Sequence, residues 1–540
     1  MQWLGRMAGI VLSTINAKWI HPSLALRLLK ANLPPDLPAD ECAILEFALR
    51  QPLAEKTSAI LAEAPKILAL SVSVWNHGAT LELLSALEDA WSKTDGTDGR
   101  PARPVVMLGG PEITGLVDAY GAAFPAASGT FQRVEGIPAS GMRDDAVPAL
   151  FRYADFVIRG EGEAVFAELC RAVLGDPVAA KKQYGKYIGA SPVHPAAIRS
   201  AYDLYSHEDL HRKLIYVEAS RGCPYACAFC QSAVDAGGGN PQAAAVHPVR
   251  EFPLEEFLDN LEKLLRRCSD IDTDNNAPVK TRTIKFLDRS FNVNIPRALR
   301  ILEFCLAKTA GTKPENALQF HFEMVPAVFP AELRNMLALF PPGSLRLEIG
   351  IQSFNPHACA LINRNSGPER ELEVLGFLRE KTSAVVHADL IAGLPGEDMV
   401  SFGRGFDRLW IALTGGNNAA SAPFEIQPGI LKCLPGTPIH AMAETGGFAV
   451  KYSNTPPYEV IETDCLSALA MEKIKNFARF WELIVNRQSR LLPLAAPPGM
   501  PVFARFMELS QKLQDSFGKN WGIPKNALEE AVGEILQSIS

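Results

Sequence analysis

Three cysteines, Cys223, Cys227 and Cys230, sit within S-R-G-C-P-Y-A-C-A-F-C (220–230) at the spacing C-x3-C-x2-C. Three neighbouring thiolates can hold three corners of a cubic iron–sulfur cluster and leave the fourth iron open to a ligand. A structural zinc site is the plain competitor. Zinc commonly takes four ligands, often from two C-x2-C pairs, and this chain has no second pair. The other seven of its ten cysteines, Cys42, Cys170, Cys268, Cys305, Cys359, Cys433 and Cys465, stand far apart in sequence. They are expected to be small buried apolar residues.

The apolar run 214–217 (L-I-Y-V) immediately precedes the cysteines and reads as a buried strand, which puts the thiols on a tight loop at its end. Phe229 completes C-x3-C-x-aromatic-C, and the stretch resembles the signature of the radical S-adenosylmethionine (SAM) superfamily. The resemblance implies a [4Fe-4S] cluster on Cys223, Cys227 and Cys230, with Phe229 beside it. In that family the open iron chelates SAM, and reduction cleaves SAM to a deoxyadenosyl radical. An external electron donor of flavodoxin or ferredoxin type is implied as well.

After the cysteines, apolar runs at 283–287, 318–323, 345–352, 385–393 and 424–431 alternate with helical patterns at 254–267, 296–307, 330–338, 369–380 and 401–413. With the strand before the cysteines this makes six β/α units, too few for a closed eight-fold barrel. The count is similar to the (β/α)6 partial TIM barrel of radical SAM enzymes. Strand-end residues carry the implied SAM contacts. Asp288 and Arg289 follow the second strand (K-F-L-D-R), where relatives hold the SAM amino group, although the usual G-G-E is absent. Glu348 and Gln352 alternate along the fourth strand and can face the lumen. The backbone from Ile391 to Gly393 (H-A-D-L-I-A-G-L-P-G-E) is placed against adenine by the resemblance. An ordinary salt bridge is the competing role for Glu348.

The first part of the chain alternates in the same way, with strand-like runs at 9–13, 42–47, 67–75, 105–108 and 155–158. Helical patterns at 22–31, 79–91 and 164–174 lie between them, which indicates a doubly wound, Rossmann-like α/β sheet. Such sheets bind ligands outside the carboxyl ends of their strands. The residues found there are Asn16 and His21 after the first strand, Ser71 and Ser73 in S-V-S-V-W-N-H at the end of the third, and Gly109-Gly110-Pro111-Glu112 after the fourth. Glu161, in R-G-E-G-E, follows the fifth.

This set, ahead of a cysteine loop, resembles the cobalamin-binding domain of B12-dependent radical SAM enzymes. The resemblance implies that Ser71 lies near the nucleotide tail and that Gly109 and Gly110 admit the cofactor to the backbone. The histidine motif D-x-H-x-x-G of methionine-synthase-type domains is absent, so His21 is the candidate cobalt ligand. A histidine beside proline is more often a hydrogen-bonded loop or packing residue. A generic Rossmann-like domain remains the plain alternative.

Two stretches, 123–148 and 175–205, read as irregular connections, and Gly237-Gly238-Gly239 as a flexible link. H-E-D-L-H (207–211) matches a zincin helix motif. Only Arg212 and Lys213 separate it from the next strand, so a charged turn is expected there instead. From residue 437 onward the pattern is mostly helical, with the longest amphipathic stretch at 468–490 and Tyr458, Phe477, Phe480 and Trp481 as core. This region is similar to the C-terminal extension of a branch of B12-dependent radical SAM proteins. The expected division is 1–176, Rossmann-like; 177–211, linker; 212–436, partial barrel; and 437–540, helical.

The composition fits a globular protein, with 540 residues, 47% of them hydrophobic and 21% charged. A net charge of −7 argues against a nucleic-acid partner. No apolar stretch is long enough to span a bilayer, the N-terminus lacks a signal-peptide cleavage pattern, and the cysteine usage suits a reducing cytoplasm. The reading that unites these features is a cobalamin-dependent radical SAM enzyme methylating an unactivated carbon of a small-molecule substrate. Radical rearrangement or cyclisation without methyl transfer, and a non-catalytic cobalamin- or metal-binding module, are the alternatives.

Overall fold

The computed structural model describes residues 9–37, 41–93, 102–119, 131–133, 148–233, 249–275, 282–309, 318–364, 367–416, 423–487 and 501–539. Most of the expected 123–148 connection and the 237–239 glycines lie outside them. Contacts divide the chain into two compact units. The first comprises 1–222, 230–277 and 434–441, and the second 223–229, 278–433 and 442–540.

The first unit is built on a seven-stranded sheet. In chain order its strands are β1 (Ile10–Asn16), β2 (Cys42–Ala48), β3 (Ile67–Ser71), β4 (Val105–Gly109), β5 (Phe131–Arg133), β6 (Phe156–Arg159) and β7 (Tyr187–Ala190). Their spatial order is β2-β1-β3-β4-β6-β7-β5, parallel except for the antiparallel edge pair β5–β7. Alternation along the strands feeds two cores. Val11, Leu68, Leu70, Val106 and Leu108 pack with Leu83, Leu87 and Trp91 of helix His77–Ser92. Ile10, Leu12, Ala69, Met107 and Phe156 pack with Phe166, Leu169 and Cys170 of helix Glu163–Gly175. The sheet is therefore doubly wound, with its order reversing between β1 and β3, where such folds bind ligands.

The stretch expected to be irregular at 175–205 is largely regular, holding helix Pro177–Tyr184 and strand β7. Pro177 sits in the first turn, and the Asp176 carboxylate accepts from the Val178 and Ala179 amides. H-E-D-L-H is also a correction. It forms a six-residue helix, His207–Arg212, closed by a reciprocal capping box between Ser206 and Asp209. Asp209 further binds Arg27 at 2.7 Å and Lys213 at 2.9 Å. Two more strands, β8 (Ile215–Val217) and β9 (Ser220–Arg221), lead to the cysteines, and β10 (Arg250–Glu251) pairs antiparallel with β9.

The second unit holds β11 (Arg282–Phe286), β12 (Leu318–Met324), β13 (Leu345–Gln352), β14 (Val385–Ala392) and β15 (Phe424–Ile430), each parallel to the one before. Along the chain, β8 and these five give the six strand–helix steps of a partial TIM barrel. β13 and β14 alternate strictly between buried apolar and half-buried residues. One face of these strands packs against the helices, and the other carries polar groups.

The C-terminal region is less uniformly helical than its pattern suggests. An antiparallel pair, β16 (Val450–Tyr452) and β17 (Val460–Thr463), precedes helix Ala468–Trp481. Tyr458, Phe477, Phe480 and Trp481 are buried as expected. Phe477 and Trp481 join Phe406 and Phe506 in an edge-on aromatic cluster with centroids 4.7–5.1 Å apart. Six of the seven isolated cysteines are buried, and Cys465, in the turn after β17, is exposed. Among the described residues no helix is long and apolar enough to cross a membrane.

A buried carboxyl in this unit yields a stability prediction. Glu397, 1% exposed, accepts from Ser353 Oγ at 2.6 Å and also interacts with Ser401. Burial pushes its pKa up to about 7, and the Asp398 charge adds to the shift. A raised acid favours the folded state least where it must ionise, so stability falls as pH rises from about 4.5 through 7. Glu397→Gln keeps the shape without the charge. It should remove a fall of roughly 3 kcal/mol between about pH 4.5 and 7, read from urea midpoints; an unchanged slope over that range would refute the assignment.

Candidate active site

The cysteine loop is anchored by a turn that sequence reasoning missed. Helix Pro356–Leu361 ends in Ile362-Asn363-Arg364, with Asn363 left-handed at φ +52°. The Ile362 carbonyl accepts from the Ala228 amide at 2.9 Å, and Asn363 Nδ2 donates to the Ala226 carbonyl at 3.0 Å. These bonds hold the backbone on both sides of Cys227. Arg364 ties the turn to β13 through the Gly350 carbonyl. Cys223, Cys227 and Cys230 are all half-buried and outside any disulfide. Burial and the neighbouring Cys223 thiol push the Tyr225 phenol up. Among the described residues no three His, Cys, Asp or Glu side chains gather around a single ion. A cubane binds each thiolate to a different iron, so its cysteines need no such convergence. Half-buried thiols on an anchored loop fit it.

The polar face of β11–β15 carries a charged network. Glu348 accepts from Lys285 Nζ at 2.9 Å and lies 3.2 Å from His321 Nε2. Burial opposes its ionisation, but His321 and the Lys285 ammonium hold the carboxyl well below the usual range. Burial lowers the His321 pKa, and Glu348 opposes that shift. His387 lies between two carboxylates, Asp389 at 3.0 Å from Nε2 and Glu425 at 2.9 Å from Nδ1, and Arg346 also binds Glu425. Burial alone would lower the His387 pKa; the two carboxylates raise it to about 10, so the ring is an imidazolium.

The expected SAM contacts are distributed around this network. Asp288 is buried beyond the end of β11, and Arg289 is exposed with its guanidinium 3.8 Å from Glu323. Gln352 ends β13 at φ +69°, where the register shifts between Gly350 and Gln352. A Cβ on Gly350 would lie 2.4 Å from Gln352 Nε2, so a larger residue there would displace the Gln352 amide. Ile391 is half-buried on the polar face of β14. Gly393 follows it at φ +89°, and a Cβ there would press on Met471 at 3.1 Å. Glu348 is occupied by the neighbouring strands, as an ordinary salt bridge would be.

Several residues expected to meet cobalamin also have protein partners. Asn16 Nδ2 donates to Glu46 at 3.3 Å. His21 Nδ1 is 2.6 Å from the Tyr216 hydroxyl. Ser73 donates its amide to Asn76 Oδ1 at 2.8 Å, and the Ser71 carbonyl accepts from Thr14 Oγ1. Gly110, at φ +102°, is demanded by the fold, because a Cβ would lie 2.6 Å from the Val72 carbonyl oxygen. A Cβ on Gly109 would make only ordinary contacts. Pro111 and Glu112 open helix Pro111–Ala119. Glu112 is buried against His77 at 2.7 Å. Glu161 binds Arg221 and Arg250.

What this strand end offers openly is aromatic. Trp19 and Ile20 follow β1, Trp75 follows β3, and they are 47%, 39% and 53% exposed. Each lies just beyond the carboxyl end of a strand beside the switch point, where such folds bind ligands, and the Lys213 ammonium lies over the Trp19 ring, 5.2 Å from its centroid. Sequence reasoning passed over both tryptophans, although their positions just after strands were the available signal.

Comparison with known proteins agrees with this geometry. Residues 217–404 match the model of the radical SAM superfamily. The fold is similar to that of the radical S-adenosylmethionine methyltransferase TsrM from Kitasatospora setae, solved with cobalamin and a [4Fe-4S] cluster. That match covers 86% of this chain and 83% of TsrM at 16% identity, with a TM-score of 0.53. It is also similar to the cobalamin-dependent S-adenosylmethionine radical enzyme OxsB, solved with aqua-cobalamin, over 98% of this chain and 80% of OxsB at 13% identity and a TM-score of 0.58. No curated protein sequence matches the chain. Residues 217–404 are thus a radical SAM domain, and the chain around them has the fold of cobalamin-dependent radical SAM enzymes.

Proposed function

We propose that this chain is a cobalamin-dependent radical SAM methyltransferase acting on an unactivated carbon of a small molecule. The observation that carries the reading is a three-cysteine loop in a radical SAM domain, on one chain with a Rossmann-like sheet whose switch point presents open aromatic surface. When bound, the cluster supplies an electron to SAM, SAM a hydrogen-abstracting radical, and cobalamin the methyl group.

The residues have separate tasks. Cys223, Cys227 and Cys230 hold the cluster, and the turn at Ile362–Asn363 fixes the middle of their loop. Asp288, Gln352 and the Ile391–Gly393 backbone lie where SAM would be held, with Phe229 beside the cluster. The ion pairs of Glu348 and His387 keep the polar faces of the strands rigid. Around cobalamin, Trp19, Ile20 and Trp75 offer apolar surface to a flat macrocycle, with Ser71 and Gly109 at neighbouring strand ends. His21 meets Tyr216 through Nδ1, a contact that leaves Nε2 as its candidate cobalt-ligating atom.

The test is anaerobic incubation of reconstituted protein with SAM, hydroxocobalamin and a strong reductant. Deoxyadenosine together with S-adenosylhomocysteine is expected. Deoxyadenosine alone across a substrate panel would favour a rearrangement, and neither product from cluster-loaded protein would refute the reading. Trp75→Ala should weaken hydroxocobalamin binding about tenfold, the loss of one stacked aromatic. Unchanged affinity in a fluorescence titration would remove Trp75 from the site.

A further inference from the structure

The residue two positions before Cys223 is the most heavily bonded arginine beside the cysteine loop. Arg221 Nε donates to both Glu218 oxygens at 3.0 Å, one terminal nitrogen to Glu161 Oε2 at 3.2 Å and the other to Glu163 Oε1 at 2.6 Å. Its guanidinium also lies over the Phe252 ring, 5.7 Å from the centroid. The side chain is only 10% exposed. Directly across the β9–β10 ladder stands Arg250, in register with Arg221. Two like charges facing each other would push the strands apart. Glu161 prevents this by binding both arginines, and Arg250 also donates to the Val193 carbonyl at 2.8 Å.

Two of the three carboxylates around Arg221, Glu161 and Glu163, come from R-G-E-G-E, directly after β6. Gly160 is held at φ +88°, with its amide donating to Thr114 Oγ1 at 3.0 Å, and Glu163 begins the helix that follows. The segment is thus fixed to the Rossmann-like sheet at one end and to Arg221 at the other. The geometry points to Arg221 as a positioning residue for the cluster loop, with R-G-E-G-E as its bracket rather than a cofactor contact. Between the bracket and Cys223 lies only Gly222, at φ +89°. The Arg221 backbone, held in the β9–β10 ladder, is thus separated from the first cysteine by a single residue.

This inference rests on the radical SAM reading, and its test separates the two. Full-length Arg221→Gln, Arg221→Lys and Glu163→Gln are compared with the parent protein. In the metal-free proteins, hydrogen exchange at residues 219–223 is expected to rise about tenfold in every variant. Lysine gives no rescue, because one ammonium cannot replace a fork spanning three carboxylates. In cluster-loaded proteins with iron content matched to the parent, deoxyadenosine formation is expected to fall roughly 10–100-fold, the cost of a misplacement near 1 Å. KM for SAM should move less than kcat, and the change SAM induces in the reduced cluster's EPR spectrum should broaden.

Unchanged exchange in Glu163→Gln, which preserves shape and is the variant least prone to misfold, would overturn the bracket. Raised exchange with parental deoxyadenosine rate and EPR change would overturn its positioning role. Parent protein that takes up no cluster would refute the radical SAM reading, while the exchange result still decides the bracket.

Discussion

Cys227→Ala should yield a folded protein that retains little iron and forms deoxyadenosine only at assay background. The alanine leaves the loop backbone where it is, since Ala226 and Ala228 on either side are bonded to Asn363 and Ile362. What is lost is one of three thiolates, and two cannot hold a cubane with a single open iron. Iron and sulfide analysis, EPR after reduction and product chromatography give the readout. Asn363→Ala is the companion. It keeps all three thiols but frees the Ala226 carbonyl, so it should load cluster and lose it faster on dilution. A Cys227→Ala protein with parental SAM cleavage would refute the cluster assignment, and one that fails to fold would be answered by Asn363→Ala.

How much of this was legible in the sequence depends on the range of the interactions involved. β13 could be read to the residue because L-R-L-E-I-G-I-Q alternates without a break, and β14 nearly so. β7 was lost because Y-I-G-A is four residues long with a glycine inside it. The helix at His207–Arg212 was misjudged because length alone argued against it, whereas the capping box and the Arg27–Asp209 pair, 182 residues apart, supply what length does not. The pairing of β16 with β17 spans a seven-residue connection containing Pro456-Pro457, which carries no hairpin signal.

The candidate site divides along the same line. The cysteine spacing is local chemistry and could be read directly. The Ile362–Asn363 turn that holds the loop is a contact across more than 130 residues, which no spacing announces. Residue types at strand ends were found, but their partners follow from register. Glu348 meets Lys285 and His321 from neighbouring strands, and Glu161 meets two arginines beside the cysteine loop. Register thus gives several of the expected cofactor residues protein partners as well. His387 is the opposite case, since H-A-D-L already placed it on the same strand face as Asp389, and the signal was overlooked.

That overlooked histidine should control the stability of the second unit. His387→Gln is expected to cost about 3 kcal/mol near pH 7, because it leaves Asp389 and Glu425 half-buried without the cation between them. The pH dependence identifies the cause. In the unfolded chain a histidine titrates near 6.5, and in the fold this one titrates at about 10. Its contribution is therefore complete below about 6.5, shrinks as the unfolded chain alone loses its proton, and is gone above 10. Across that window the parent should lose up to about 1.4 kcal/mol per pH unit from this group. The Glu397 effect belongs to a lower window, from about 4.5 to 7, so the two are separable by urea midpoints at pH 5, 7 and 9.5. His387→Gln should be less stable than the parent at pH 7 and converge on it by pH 9.5. Parallel curves would mean that the ring only fills space, and the ion network on these strands would have to be credited to Lys285 and Arg346 instead.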